Sequence, residues 1–462
     1  MNYLVVGAGN ASRPVARLLN HLGHSVVITD LKEIDEFKAD VGRILKQMEA
    51  EGVILDLGDK NPTLDDIDAV YMPPTLPQSA PIAQLIEKSD VEVLTNEDFS
   101  DIVNDLIPVD IIGITGTMGK TTTTFITTTL FKQADFKVWA CSSLVNNLVS
   151  EAIIDGIVKG KANYCDIAIF ELPHGTIGLL NNLNIKIGLL TNIAEDHLSE
   201  FDGSLEKYQQ RKLILEKMSE TFIANYSCYD IINPQRDDAL YYALDEDVDF
   251  KGIIGENFLT IDYKKDCFTS PFHMMSYFFE NSVAASAIAL TYGIEKEFII
   301  DALSDFKGLP AHMEDVDDYN GRKVILDSAF LYDGMKITLD YFKDDNIVLF
   351  LDHFDTLSVR DKAEVGQLIT NYDIKTVIAS GFNEVTQEVE MQAAHELLNA
   401  IDNPKIKKVA VETIDKAAEL TFKYSEPGDI ILHMGPLIAY DRLTTVEKIM
   451  KGLEEGSKKY EW

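Results

Sequence analysis

One run constrains this chain more than any other: Gly113-Ile114-Thr115-Gly116-Thr117-Met118-Gly119-Lys120-Thr121-Thr122-Thr123. It follows the apolar strand pattern Val109–Ile112 and opens a helical pattern from Thr122 to Leu130. Strand, glycine-rich turn and helix in that order form the setting of a phosphate-binding loop. Gly113, Gly116 and Gly119 let the backbone approach an anion and turn its N–H groups inward. Lys120 supplies a positive charge for the β- and γ-phosphates, and the Thr121 hydroxyl is placed to ligate Mg²⁺. The helix N-terminus behind Gly119, Lys120 and Thr122 adds its dipole. The plain alternative is a glycine-rich turn with no ligand. Gly-Lys-Thr at this offset argues against it, so the loop implies ATP or GTP.

At 462 residues the chain exceeds one ordinary core. Its 46% hydrophobic and 25% charged residues fit a globular protein. The formal net charge of −35 opposes nucleic acid and anionic membranes as partners. A bound nucleotide anion then needs Mg²⁺ and a local basic pocket. Cys141, Cys165, Cys228 and Cys267 have no Cys-x-x-Cys spacing, which fits a reducing compartment rather than a zinc cluster or disulfide framework. Met1–Gly7 runs directly into a strand pattern, and no uncharged apolar run is long enough to span a bilayer, so a cytoplasmic protein is expected.

The expected class is α/β in three domains. Residues 1–109 read as a Rossmann-like first unit. Tyr3–Val6 is a strand pattern, Gly7-Ala8-Gly9-Asn10-Ala11-Ser12 a turn, Arg13–Leu22 a helix and Ser25–Thr29 a strand ending at Asp30. The turn resembles a dinucleotide fingerprint with Ser12 in place of a third glycine, and Asp30 stands where a ribose or base is met. A tight turn without a ligand is the equal alternative. Pro73-Pro74-Thr75-Leu76-Pro77 follows the short strand pattern Ala69–Met72, at the end where open sheets bind ligands. Gly7, Gly9, Asn10, Asp30, Pro74, Thr75 and Asn146 are the candidate substrate residues. Residues 110–309 form the central phosphate-loop unit, closed by Gly308-Leu309-Pro310. Residues 310–462 alternate strand patterns (Lys323–Leu326, Asn346–Leu351, Thr376–Ala379, Lys408–Val411, Asp429–Leu432) with helices, as a second Rossmann-like sheet.

In the central unit, Ile167–Phe170 delivers Glu171. Gly188–Asn192 leads to Glu195-Asp196-His197, and Tyr208-Gln209-Gln210-Arg211-Lys212 lies on a helix. Neighbouring parallel strand ends share one rim with the loop. Glu171 can then reach a Mg²⁺ held by Thr121, and Glu171 with His197 could hold a second. Each has a plainer reading: a helix-start acid, a structural histidine, an exposed lysine.

These elements together resemble the Mur ligase family, along essentially the whole chain. Thr115–Thr123 matches its loop and Glu171 its strand-end glutamate. Asn192, Asp196, His197 and Leu198 match its Asn-x-x-x-Asp-His-Leu element, and Tyr208 with Lys212 its Tyr-x-x-x-Lys element. Asn281 matches the adenine-contacting Asn, Gly308-Leu309-Pro310 the domain boundary and Asp327 the ribose-binding Asp. The resemblance implies an ATP-dependent amide ligase: a carboxylate takes the γ-phosphate, and an amine displaces it from the acyl phosphate. It implies ATP, two Mg²⁺ sites and possible carbamylation of Lys212 by CO₂. The nearest types hold a UDP-linked acceptor in the first domain and add an amino acid to it, and a monomer is expected. The divergent acidic character fits the archaeal pseudomurein set.

The match fails in places. Met118 replaces an Asn, and Pro173-His174 a Ser-Ser pair. His312 falls near a ribose-contacting Arg, and Ala329 replaces a Lys. His353, Arg360 and His433 are candidates for the amine or the phosphates; the alternative is that they are loop residues. A Mur-like ligase for another carboxylate (a nickel-tetrapyrrole cofactor synthetase or a γ-glutamyl ligase) is a competing function. So is a nucleotide-binding scaffold without ligase activity. A dehydrogenase built on residues 1–109 lacks a nicotinamide-side catalytic pair.

Overall fold

The computed structural model describes residues 1–58, 62–144, 146, 148–194, 198–232, 236–264, 266–272, 278–306, 308–329, 332–351, 362–383, 388–435 and 442–460. Three α/β sheets carry the architecture, as expected. The first is parallel, in the order Ile54–Leu57, Ser25–Asp30, Asn2–Val6, Ala69–Tyr71, Glu92–Leu94. This order places the turn after Val6 at the point where the sheet changes direction, so Gly7, Asp30 and Pro73 share one rim.

The second sheet has nine strands. Its order is Asp266–Pro271, Phe258–Tyr263, Phe250–Ile254, Leu240–Leu244, Ser219–Asn225, Ile185–Leu190, Asp110–Thr115, Ile167–Glu171, Val138–Cys141. The four strands from Leu240 to Pro271 lie beyond the sequence expectation. Asp110–Thr115 is central, paired in parallel with Ile167–Glu171 on one side and Ile185–Leu190 on the other. Its residues 111–115 are buried, as a near-continuous apolar run in a covered parallel sheet should be. The helix Lys120–Gln133 then packs along the sheet. Its threonine hydroxyls are satisfied in the packed helix, since Thr127, Thr128 and Thr129 each donate to the carbonyl four residues back.

The third sheet runs Glu314–Tyr319, Arg322–Asp327, Ile430–Met434, Ile347–Leu351, Ile374–Ser380, Lys407–Val411. Glu314–Tyr319 is antiparallel to its neighbour, whereas the expectation was parallel strands throughout. Its acidic sequence Glu314-Asp315-Val316-Asp317-Asp318-Tyr319 suits an edge, where charge discourages pairing with other chains.

Two compact units are present: residues 1–253, 260–269 and 281–302, and residues 254–259, 270–280 and 303–462. In the first, the first two sheets share one apolar core running from Tyr3 and Val15 through Phe99 to Phe170 and Phe222. A salt bridge at 2.7 Å ties Arg13, 3% exposed, to Glu151. Asn96 and Asn104 donate to the carbonyls of Gly178 and Asn182. The second unit has its own core around Val324, Phe350, Ile378 and Phe422. Among the described residues no helix is long and apolar enough to cross a membrane.

Candidate active site

The ladder register builds the site. Glu171 stands opposite Ile114, and Leu190 opposite Thr115, so the residues after these strands meet the loop. Gly116 has φ +142°, and a Cβ there would lie 1.9 Å from Thr191 Oγ1. Gly119 has φ +78°, and a Cβ there would lie 2.5 Å from Asn281 Oδ1. Only glycine fits either position.

Asn192 fixes the loop between them. Its carbonyl accepts from the Thr117 N–H at 2.9 Å, and its Oδ1 accepts from the Met118 N–H at 2.9 Å. The Met118 carbonyl in turn accepts from Thr191 Oγ1 and Asn192 Nδ2. Met118 is thus held through its backbone, which accounts for an unusual side chain there. The Thr117 hydroxyl is 3.1 Å from the Tyr208 hydroxyl and accepts from the Ala194 N–H. Lys120 Nζ donates to the Thr117 carbonyl at 2.6 Å, folded back over the loop. Asn281 Oδ1 accepts from Thr123 Oγ1 at 3.2 Å, which brings the adenine candidate to the loop helix.

Glu171 is 1% exposed. Its carboxylate accepts from Thr121 Oγ1 at 3.1 and 3.2 Å, from Ser143 Oγ at 3.0 and 3.1 Å, and from the Ser143 N–H at 2.9 Å. The Thr121 and Ser143 hydroxyls are 2.9 Å apart. This set is all oxygen, one carboxylate and two hydroxyls, which suits a hard cation such as Mg²⁺. Among the described residues no three His, Cys, Asp or Glu cluster. Ser143 was missed in the sequence. The available signal was the end of strand Val138–Cys141, whose Cys141 pairs with Phe170.

Lys212 is 1% exposed, with Nζ 5.3 Å from the Tyr208 ring centroid, on the same helix Leu205–Met218. His174, in the place of the expected Ser-Ser pair, lies 3.0 Å from Glu200 Oε2. His197, together with His353 and Arg360, lies outside the described residues.

In the first sheet, Asp30 closes the glycine turn. Its Oδ2 accepts from the Ala8 N–H and its Oδ1 from the Lys32 N–H. Ser12 Oγ donates to the Val6 carbonyl, which explains a serine at the third fingerprint position. Asn10 Oδ1 and the Ala8 carbonyl both accept from Arg13. The Gly9 carbonyl accepts from the Ser12 and Arg13 N–H groups, whereas Pro74, Thr75 and Asn146 are exposed and peripheral to this network. A cavity of about 430 Å³ opens between Arg13, Arg17, Glu51, Cys141, Asn146 and Asp155.

The second unit holds the remaining candidates. Asp327 is buried; its carboxylate accepts from Thr338 Oγ1 at 2.5 Å and from the Met313 N–H at 3.2 Å. Burial pushes its pKa up to about 6. His433 is the last residue but one of the strand Ile430–Met434, is fully buried and sits against Phe350. His312 Nδ1 is 3.2 Å from the Pro310 carbonyl. Ala311 and Met313 flank it with φ of 59° and 54°, an unusual backbone for non-glycine residues. The structure therefore gathers Gly116, Thr117, Gly119, Lys120, Thr121, Glu171 and Asn281 at one place, with Tyr208 reaching the loop through Thr117.

The Mur ligase middle domain matches residues 114–289. An uncharacterized protein of Methanothermobacter thermautotrophicus is 36% identical over 222 residues, covering 47% of this chain and 70% of that protein. The UDP-N-acetylmuramoylalanine–D-glutamate ligase of Lactobacillus acidophilus is 23% identical across 97% of this chain and 95% of its own. The solved structure of a pseudomurein peptide ligase type C from Methanothermus fervidus superposes with a TM-score of 0.59 at 18% identity, covering 97% and 99% of the two chains. With the loop, the strand-end glutamate and the three-sheet fold all in place, this chain belongs to the Mur ligase family.

Proposed function

We propose that this protein is an ATP-dependent acid–amino acid ligase that adds an amino acid to a UDP-linked cell-wall precursor of murein or pseudomurein type. The observation that carries the reading is the Thr121–Ser143–Glu171 oxygen cluster beside a phosphate loop whose Lys120 is already folded over it. The likeness to murein and pseudomurein ligases supports the class of acceptor.

Chemically, an acceptor carboxylate oxygen attacks the γ-phosphorus of ATP, and the bond to the β-γ bridging oxygen breaks. The products are an acyl phosphate and ADP. The amine then attacks the acyl carbon, phosphate leaves, and the amine proton passes to a base. Lys120 and the loop N–H groups hold the transferring phosphoryl oxygens. Thr121, Ser143 and Glu171 would hold Mg²⁺, which when bound neutralises charge on those oxygens. Lys212, if carbamylated, and His197 would support a second Mg²⁺. Residues 1–109 would hold the acceptor, with Asp30 and the Gly7 turn toward its nucleotide. Residues 110–309 would hold ATP, with Asn281 toward adenine. Residues 310–462 would close on ATP and bring the amine. The protein would act as a soluble monomer.

The test is a matrix of UDP-linked acceptors against amino acids, read by phosphate release and product mass. Acceptor-dependent phosphate release with a product heavier by one amino-acid residue is expected. ATP hydrolysis that no acid–amine pair accelerates would overturn the reading.

A further inference from the structure

Among the arginines whose side chains the structure describes, Arg211 stands apart. Arg13, Arg17 and Arg236 pair with carboxylates, and Arg322 donates to Ser425 and to main-chain carbonyls. Arg43 is exposed. Arg211 is only partly exposed, yet among the described residues it has no hydrogen-bond acceptor and no ion pair. Acids outnumber bases by 76 to 41 in this chain, so an unpaired, half-buried guanidinium is not explained by a shortage of carboxylates. Such a charge is costly unless a ligand completes it.

Its surroundings are shaped around it. The guanidinium lies over Gly178, where a Cβ would fall 1.8 Å from Nη1, and 6.0 Å from the Phe201 ring centroid. Gly178 sits in the helix His174–Leu179 with no left-handed φ, so its lack of a side chain serves space, not backbone conformation. A glycine is a poorer helix residue than alanine, and what it gains here is room for Arg211. The Gly178 carbonyl already accepts from Asn96 Nδ2 at 2.8 Å, and Asn96 accepts from the Tyr71 hydroxyl.

The position is also informative. Phe201 packs edge-on against Tyr208 at 5.4 Å, and Tyr208 touches Thr117 of the phosphate loop. His174 faces the same ring at 6.0 Å. Arg211 is therefore one aromatic layer from the loop, beside the contact with the Asn96 helix of the first sheet.

We propose that Arg211, admitted by Gly178 and backed by Phe201, is an anion-binding site that holds an oxyanion of the acceptor, carboxylate or diphosphate, on its way to the phosphate loop. This rests on the ligase reading for the identity of the acceptor, but not for the existence of the site. The guanidinium fork suits a two-oxygen group.

The test uses full-length wild type, Arg211→Gln and Gly178→Ala, with Mg²⁺ and a non-hydrolysable ATP analogue. Each is titrated with UDP-N-acetylmuramoylalanine, and with UDP-N-acetylglucosamine, which keeps the diphosphate but has no carboxylate. Both variants are expected to raise the Kd for UDP-N-acetylmuramoylalanine about tenfold or more, with the Kd of the ATP analogue unchanged. A rise confined to that compound assigns the carboxylate; an equal rise for UDP-N-acetylglucosamine assigns the diphosphate. An unchanged Kd for both compounds in Arg211→Gln overturns the site. Gly178→Ala displaces only the flexible end of Arg211, so it decides the matter should Arg211→Gln fail to fold. Wild type that binds neither compound counts against the UDP-linked reading alone. The site is then read by thermal stabilisation with succinate and with inorganic phosphate. A response to either that is lost in the variants upholds the site, and identical responses in wild type and variants overturn it.

Discussion

The Ser143 N–H donates to Glu171 Oε2 at 2.9 Å, while the Ser143 hydroxyl reaches both oxygens of the same carboxylate. With Thr121 the pair forms the oxygen cluster beside the loop. Glu171→Gln removes the only charge in that set and is expected to abolish Mg²⁺-dependent turnover. Ser143→Ala keeps the main-chain bond and loses one hydroxyl, so metal affinity should fall about 10–100-fold. Activity titrated against Mg²⁺, with full loss on chelation, checks both. A Ser143→Ala enzyme with an unchanged Mg²⁺ midpoint would remove Ser143 from the site.

The loop's shape is fixed by Asn192 more than by residue 118. Met118 contributes its N–H and carbonyl, both engaged by Asn192. Met118→Asn is therefore expected to leave the KM for ATP within about twofold. Asn192→Ala loses side-chain bonds to both groups, about 1 kcal/mol each, and should raise that KM about tenfold or more. Lys120→Ala should cost about 10³-fold in kcat, since no other described cation lies on the loop. Steady-state kinetics of the three variants separate these effects.

Much of this site was legible because a phosphate loop is a backbone device, and glycine spacing reports backbone directly. Glu171 was legible as the residue ending an apolar strand run. Ser143 was not, because its role arises from which strand lies beside Ile167–Glu171, and that is a tertiary fact. Arg211 was hidden for a related reason: helical spacing does not say that a glycine on a neighbouring helix leaves room for it. The strand Glu314–Tyr319 escaped because its acidic residues mask the alternation that a half-buried strand shows.

Lys212 is 1% exposed on the helix that carries Tyr208. A carbamate formed on its Nζ would turn a cation into an anion able to support a metal. Lys212→Ala is expected to lose about 10²-fold or more in kcat, partly restored by millimolar short carboxylic acids. Bicarbonate-free enzyme should likewise lose activity and recover it with CO₂. Lys212→Ala that turns over like wild type would take the lysine out of the metal site.

Arg13 joins the glycine turn to the central sheet: it donates to the Ala8 carbonyl, to Asn10 and to Glu151. Removing either partner of this mostly buried pair leaves the other charge uncompensated. Arg13→Ala should lower unfolding free energy by about 3 kcal/mol. The double variant with Glu151→Ala should lose less than the sum of the two single losses, by about 1–3 kcal/mol. Additive losses in urea unfolding would show that the two side chains act independently.

Asp327 gives the second unit a pH dependence with a definite sign. Its carboxyl is buried against Thr338 and the Met313 N–H, with His433 as the titratable group facing it, and burial raises its pKa from 3.8 to about 6. A carboxyl whose pKa is raised by folding holds its proton longer in the native state. Its contribution to stability is full below the unfolded pKa and is lost as pH climbs through about 6. Asp327→Asn mimics the protonated form, keeps an acceptor for Thr338 and Met313, and does not titrate. The stability of wild type minus that of Asp327→Asn should therefore fall by about 1 kcal/mol between pH 5 and pH 7. Urea unfolding of the two proteins across that range measures it. A difference that stays flat, or that grows with pH, would mean that Asp327 is ionised in the native protein throughout.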